Sequence, residues 1–205
     1  MKIIVSGAEQ RAFEQQTCEK LQVALSDSWQ AYHGVTVQDA KGPMEFDLVM
    51  VTHDRVVILE LKHWNGQLTS YDGAWFVNGA ARGKSVVATK RDQAVRLAAL
   101  FKTELQPALG YHPFVEAHVV LCGTSSAEHL PASEQRFAHT LDDFLKIRHV
   151  ESYEAIMGEQ PRPFDSERLR PNHPVNLKHF DSFFASFQVS QERALSNEEP
   201  EAVSQ

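Results

Sequence analysis

The chain has 205 residues, 42% hydrophobic and 23% charged, with a formal charge of −7; this is the composition of a single globular domain that can bury its own core without staples. No apolar run approaches the ~18 residues of a membrane span, and the opening MKIIVSGAEQ lacks the apolar length and cleavage pattern of a signal peptide, so a cytoplasmic protein is expected. The acidic balance excludes a uniformly basic nucleic-acid coat.

Ser6 and Glu9 pair as a capping box opening a helix over 7–26, with Phe13, Thr17, Leu21, Ala24 and Leu25 at helical spacing. A weaker strand is expected at 31–37, then two strong ones at 45–51 and 55–62 around a turn at His53-Asp54. Shorter strands near 67–70 and 74–77 join through Asp72-Gly73, and Asn78-Gly79 closes the second; both dipeptides tolerate the positive φ of tight turns. The spacing predicts a helix over 87–106, stopped by Pro107, with Leu97, Leu100, Phe101 and Leu105 inward. The nearly continuous apolar run at 114–121 predicts a central strand covered on both faces. Helices follow over 140–148, capped by Thr140, and over 176–188, with Leu177, Phe180, Phe184 and Phe187 on one face. From 189 to 205 the chain is polar and acidic and reads as a disordered tail or linker beyond a domain spanning 1–188. This order predicts an α/β (α+β) fold with a mixed central sheet flanked by helices.

Charge is unevenly spread. Residues 80–102 carry Arg82, Lys84, Lys90, Arg91, Arg96 and Lys102 against Asp92 alone. Lys84, Lys90 and Arg91 are taken as nucleic-acid contacts, a solvated helix face being the alternative. Cys18 and Cys122 fit no metal spacing and read as reduced thiols. The ten histidines are scattered without zinc-ligand spacing.

The chemistry concentrates in the strong hairpin. Alternation puts Asp47 on the face of Val49 and Val51, and Glu60 and Lys62 on that of Val56 and Ile58. If His53-Asp54 is a two-residue loop, Asp47 falls opposite Glu60 and Glu45 opposite Lys62. Two carboxylates so close raise each other's proton affinity and call for a cation. Mg²⁺, which takes hard oxygen ligands, answers that need. The competing reading is an exposed sheet edge with Lys62 bridged to Glu45.

The stretch EFDLVMVTHDRVVILELKHWNGQL, residues 45–68, resembles the nuclease-related domain, or NERD, family of the PD-(D/E)XK, restriction-endonuclease-like superfamily. Asp47, Glu60-Leu61-Lys62, Trp64 and Gly66 carry the core pattern, Glu14 and Leu21 match upstream, and Trp75 and Gln93 match downstream. Thr89 and Lys90 stand where the family has Asn-Pro before the helical glutamine. The match covers roughly 7–122 and implies a three-layer nuclease core. It further implies that Asp47, Glu60 and the Leu61 carbonyl ligate Mg²⁺ (with Mn²⁺ as substitute), and that Lys62 orients water and stabilises developing charge. Glu14 reaches the metal or Lys62, or stands at the rim; Gln93 partners the site or caps a strand end. A nuclease acting on DNA ahead of RNA is therefore expected, in DNA processing or defence against foreign DNA. A catalytically silent nucleic-acid-binding module is the alternative. A homodimer and a fused or associated kinase or helicase module are within the superfamily's habits.

Overall fold

The structure, a computed structural model, describes residues 1–5 and 12–197, with side chains through Gln188. The capping pair Ser6 and Glu9 lies outside the described residues. The amino-terminal part gives strand β1 (Lys2–Val5), helix α1 (Ala12–Ala24), and strands β2 (Gln30–Asp39), β3 (Gly42–Val51) and β4 (Val56–Lys62). Three short strands follow, β5 (Leu68–Tyr71), β6 (Ala74–Val77) and β7 (Ala80–Lys84), then helices α2 (Val86–Glu104) and α3 (Gln106–Leu109). Strand β8 (Val115–Leu121), helix α4 (Ala132–Gln135), strand β9 (Ala138–Thr140), and helices α5 (Leu141–Phe144), α6 (Val150–Met157) and α7 (Pro174–Asn197) complete it.

The main sheet has six strands in the order β1-β2-β3-β4-β8-β9, and β5-β6-β7 form a separate three-stranded sheet. β1/β2, β4/β8 and β8/β9 are parallel, whereas β2/β3 and β3/β4 are antiparallel, so the sheet is mixed. Each face is buried by helices. Ala94, Leu97 and Phe101 of α2 and Phe180, Phe183 and Phe184 of α7 pack on Val49, Val51, Val56 and Ile58. Cys18 and Leu21 of α1, with Phe144 of α5 and Tyr153 and Met157 of α6, cover Leu48, Met50, Val57 and Leu59 on the other. The fold is thus the three-layer α/β (α+β) core expected. No described helix is long and apolar enough to cross a membrane.

Pro107 does not end a helix. α2 stops at Glu104, Leu105 still donates to the Phe101 carbonyl at 2.9 Å, and Pro107 enters the first turn of α3, where a helix needs no N–H. Thr140 caps α5 as expected, accepting from Asp143 N at 3.2 Å. α7 runs to Asn197, across the boundary placed near 189, and 198–205 lie outside the described residues.

Candidate active site

The hairpin register matches the expected one: Leu48, Val49, Met50 and Val51 pair with Leu59, Ile58, Val57 and Val56, and Thr52 N donates to Arg55 O at 2.9 Å across the His53-Asp54 turn. The ladder then stops. Beyond Leu48 and Leu59, β3 stays with β2 through Val35↔Phe46 and Thr36↔Glu45, while β4 stays with β8 through Glu60↔Val119, Leu61↔Val120 and Lys62↔Leu121. The sheet opens into a fork, and the reactive residues sit on its two prongs.

At the same level the β2–β3 ladder is interrupted at one glycine. His33 pairs with Leu48 and Val35 with Phe46, but Gly34 and Asp47 between them do not pair, and Gly34 has φ +66°, a conformation natural to glycine. Met44, Phe46, Val49 and Val51 all enter the same core cluster, so alternation along β3 breaks at this irregularity. The expected simple sharing of a face by Asp47, Val49 and Val51 is corrected accordingly.

Asp47 and Glu60 are not a ladder pair. Instead the Asp47 carboxylate crosses the gap and accepts the Leu61 backbone N–H through Oδ2 at 2.7 Å, replacing the bond that the parting strand withdraws. A strand residue presents its N–H and C=O on the same side, so the Leu61 carbonyl faces the gap as well. Burial, then the charge of Glu60, pushes the half-buried Asp47 carboxyl up to about 6, against the Leu61 N–H and the charges of Lys62 and Lys90. Glu60 is 7% exposed. Burial would raise its carboxyl too, but the ammonium groups of Lys90 and Lys62 outweigh it and hold Glu60 below the usual range.

Those ammonium groups bracket the carboxylate. Lys62 Nζ lies 2.5 Å from Glu60 Oε1, and Lys90 Nζ lies 2.7 Å from Glu60 Oε2 and donates to the Glu45 carbonyl at 2.8 Å. The competing reading's bridge of Lys62 to Glu45 gives way to Lys62 with Glu60, because β3 has left the ladder. Lys90, assigned from composition to an exposed phosphate-binding patch, is buried at 8% exposure. Its signal was in the sequence: Lys90, Ala94, Leu97 and Phe101 form one helical stripe, and the last three are core residues.

The other expected residues divide. Lys84 and Arg91 are exposed, and Arg91 lies over the Phe137 ring at 4.6 Å. Glu14 is half-buried in the first turn of the described α1, and its charge reaches the buried His33 and Cys18. Gln93 is half-buried, and its Oε1, shut off from solvent, has no hydrogen-bond partner among the described residues. Cys18 and Cys122 are free thiols, and burial pushes Cys18 up to about 12.

The flanking motif residues build the scaffold. Gly66 has φ +108°, and an added Cβ would meet Asn78 Oδ1 at 2.2 Å. The Trp64 and Gly66 carbonyls accept from Ser125 N at 3.1 Å and Ser125 Oγ at 2.8 Å, tying the chain after β4 to that after β8. Trp75 Nε1 donates to Glu134 Oε2 at 2.8 Å, and Glu134 also accepts from Ser85, the N-cap of α2. That link holds the helix carrying Lys90.

Among the described residues no group of three or more His, Cys, Asp and Glu side chains gathers as a metal site. What the fork offers is hard oxygen: two carboxylates and a backbone carbonyl, with Asp47 Oδ1 outside any hydrogen bond among the described residues. That donor chemistry fits Mg²⁺ or Mn²⁺ and not a soft ion. No curated protein matches the chain. A solved structure, protein VC1899 from Vibrio cholerae, is similar at 15% identity and a TM-score of 0.30 over 71% of this chain and 33% of that one, so the chain spans about a third of that protein's length. Residues 9–122, more than half of the sequence, match the family described as NERD, nuclease-related domain, and the chain belongs to that family.

Proposed function

We propose that this domain is a Mg²⁺-dependent nuclease, with Mn²⁺ as a working substitute, that hydrolyses phosphodiester bonds of DNA rather than RNA in a cytoplasmic setting. The observation that carries the reading is the gathering of Asp47, Glu60, the Leu61 carbonyl and Lys62 at one fork in the sheet. A divalent ion held by the Asp47 and Glu60 oxygens would supply Lewis-acid polarisation of a phosphate and an acidified water. Lys62, its side chain 25% exposed, keeps an ammonium at the edge of the site to orient the attacking water and to stabilise charge gathering on the phosphate. Leu61 N–H fixes the Asp47 carboxylate in the gap. Processing of DNA or defence against foreign DNA suits such an activity.

Incubation of labelled duplex and single-stranded DNA with Mg²⁺, Mn²⁺ or EDTA tests the reading. Metal-dependent cleavage is expected, and binding without cleavage under every condition would contradict it. That second outcome belongs to a silent nucleic-acid-binding module, which one observation favours: the charges of Asp47, Glu60, Lys62 and Lys90 cancel without any metal.

Two predictions follow from the geometry. Asp47 must be ionised to hold a metal, and its carboxyl is pushed up to about 6, so cleavage should fall steeply as pH drops below about 6. The sign is opposite for the metal-free fold. Folded Asp47 holds its proton more tightly than the unfolded chain, so its contribution to stability is present at low pH and lost as pH rises through about 6. A pH–rate profile flat from 7 to about 5 would contradict the assignment. Exposed Lys84 and Arg91 are proposed to contact phosphates. Alanine at either should weaken DNA binding at low salt and reduce the slope of log K against log salt by about 1. An unchanged slope in both variants would remove them from the interface.

A further inference from the structure

The fork carries one charged group more than the motif requires. Lys90, inside α2, lies outside the residues that carry the family resemblance. Its side chain is only 10% exposed, its ammonium lies 2.7 Å from Glu60 Oε2, and it also donates to the Glu45 carbonyl at 2.8 Å. Nearly all of its aliphatic stem is therefore out of water, and a lysine so placed is held for its charge. The buried Phe46 ring, 5.7 Å from Nζ, lines its path. Without Lys90, two carboxylates would face one ammonium and the site would carry a net negative charge. With it, two negative and two positive groups balance, and a divalent ion approaching Glu60 meets a like charge on each carboxylate oxygen.

We infer that Lys90 is a built-in counter-cation for Glu60, which stabilises the metal-free fold and weakens the site's affinity for divalent ions. The proposal rests on the metal-dependent reading above and adds a determinant of how tightly the metal is held. Repulsion between an ammonium and a divalent ion within a few ångströms is large at the reduced dielectric of a half-buried site. Removing a neighbour that merely orients a ligand costs affinity roughly 10–100-fold, whereas removing a like charge that competes with the ion for the ligand acts in the opposite sense. The position is independent of the exposed basic residues on β7 and α2, so its substitution separates metal binding from phosphate contact. Methionine keeps the stem and removes the charge; arginine keeps the charge.

The test is calorimetric titration of wild type, Lys90→Met and Lys90→Arg with MnCl₂, alongside thermal melts with and without Mn²⁺. Lys90→Met is expected to bind Mn²⁺ about tenfold tighter than wild type through relief of like-charge repulsion, to melt lower than wild type when metal-free, and to gain more from added Mn²⁺. Lys90→Arg should stay near wild-type affinity. Mn²⁺ affinity in Lys90→Met equal to or weaker than that of wild type overturns the proposal, as does a Lys90→Met protein that remains unfolded by circular dichroism with Mn²⁺ present. If wild type cleaves DNA in Mn²⁺ but Lys90→Met binds no tighter, the counter-cation role falls alone. If no variant binds Mn²⁺ and wild type does not cleave, the metal-dependent reading falls with it.

Discussion

Lys62→Ala is expected to lower the cleavage rate by about 10²–10³-fold, the usual loss when one pre-placed charge at a developing anion is removed, without weakening Mn²⁺ binding. The two effects separate because Lys62 touches Glu60 Oε1 and leaves the oxygens of Asp47 and the Leu61 carbonyl in place. At neutral pH Glu60 stays ionised with Lys90 beside it, so losing Lys62 leaves the carboxylates available as ligands. Glu60→Gln should behave differently and lose both metal binding and cleavage, since a neutral amide is a poor partner for Mg²⁺. Glutamine is the better substitution there. Glu60→Ala would leave the buried Lys90 ammonium with only the Glu45 carbonyl, and an uncompensated buried charge costs about 3–5 kcal/mol. Cleavage assays under single-turnover conditions, paired with Mn²⁺ calorimetry, resolve the two. Lys62→Ala cleaving at the wild-type rate would contradict the role given to it.

Arg55→Ala is expected to destabilise the fold by about 3–5 kcal/mol, and so to lower Tm by roughly 6–20 °C for a domain of this size. Arg55 is 1% exposed. Its guanidinium donates to Asp54 Oδ2 at 2.8 Å, to Glu116 Oε1 at 3.0 Å, and to the carbonyls of Met157 and Glu159 at 2.5 and 2.9 Å. It thereby joins the β3–β4 turn to β8 and to the end of α6. Alanine would strand Asp54, which is 2% exposed and otherwise has Tyr153 and Thr52 as side-chain partners. The same staple fixes the hairpin register that brings Asp47 and Glu60 to the fork. Lysine should rescue little, having no planar fork to reach several acceptors together. A melting shift below about 2 °C for Arg55→Ala would show that the network contributes little.

The centre of the fold was legible because its signals were long and periodic. The 45–51 and 55–62 runs gave the hairpin and its register, and the apolar run at 114–121 gave the central strand that the structure places beside β4. Missed elements were short or lacked a pattern. β1 and β9 have 4 and 3 residues. β7 is exposed throughout, so no alternation of apolar and polar residues marks it. α6 spans 8 residues between the helices expected over 140–148 and 176–188. At the site, Asp47, Glu60 and Lys62 stand out in the hairpin, and the Leu61 carbonyl enters only through the family resemblance. What the sequence did not give was the parting of the strands: a ladder is a pairwise pattern, whereas the fork depends on β3 and β4 each preferring its other neighbour. Lys90 belongs with Ala94, Leu97 and Phe101 on the buried stripe of the helix and not with the basic residues beside it in sequence.

Mn²⁺ titration of uniformly ¹⁵N-labelled protein at neutral pH, followed through amide resonances, tests most directly whether the fork holds a divalent ion. Paramagnetic broadening should appear first and most strongly at Asp47, Glu60, Leu61 and Lys62, and vanish in Glu60→Gln. Broadening centred elsewhere, or none up to millimolar Mn²⁺, would contradict a metal-dependent nuclease centre at this site.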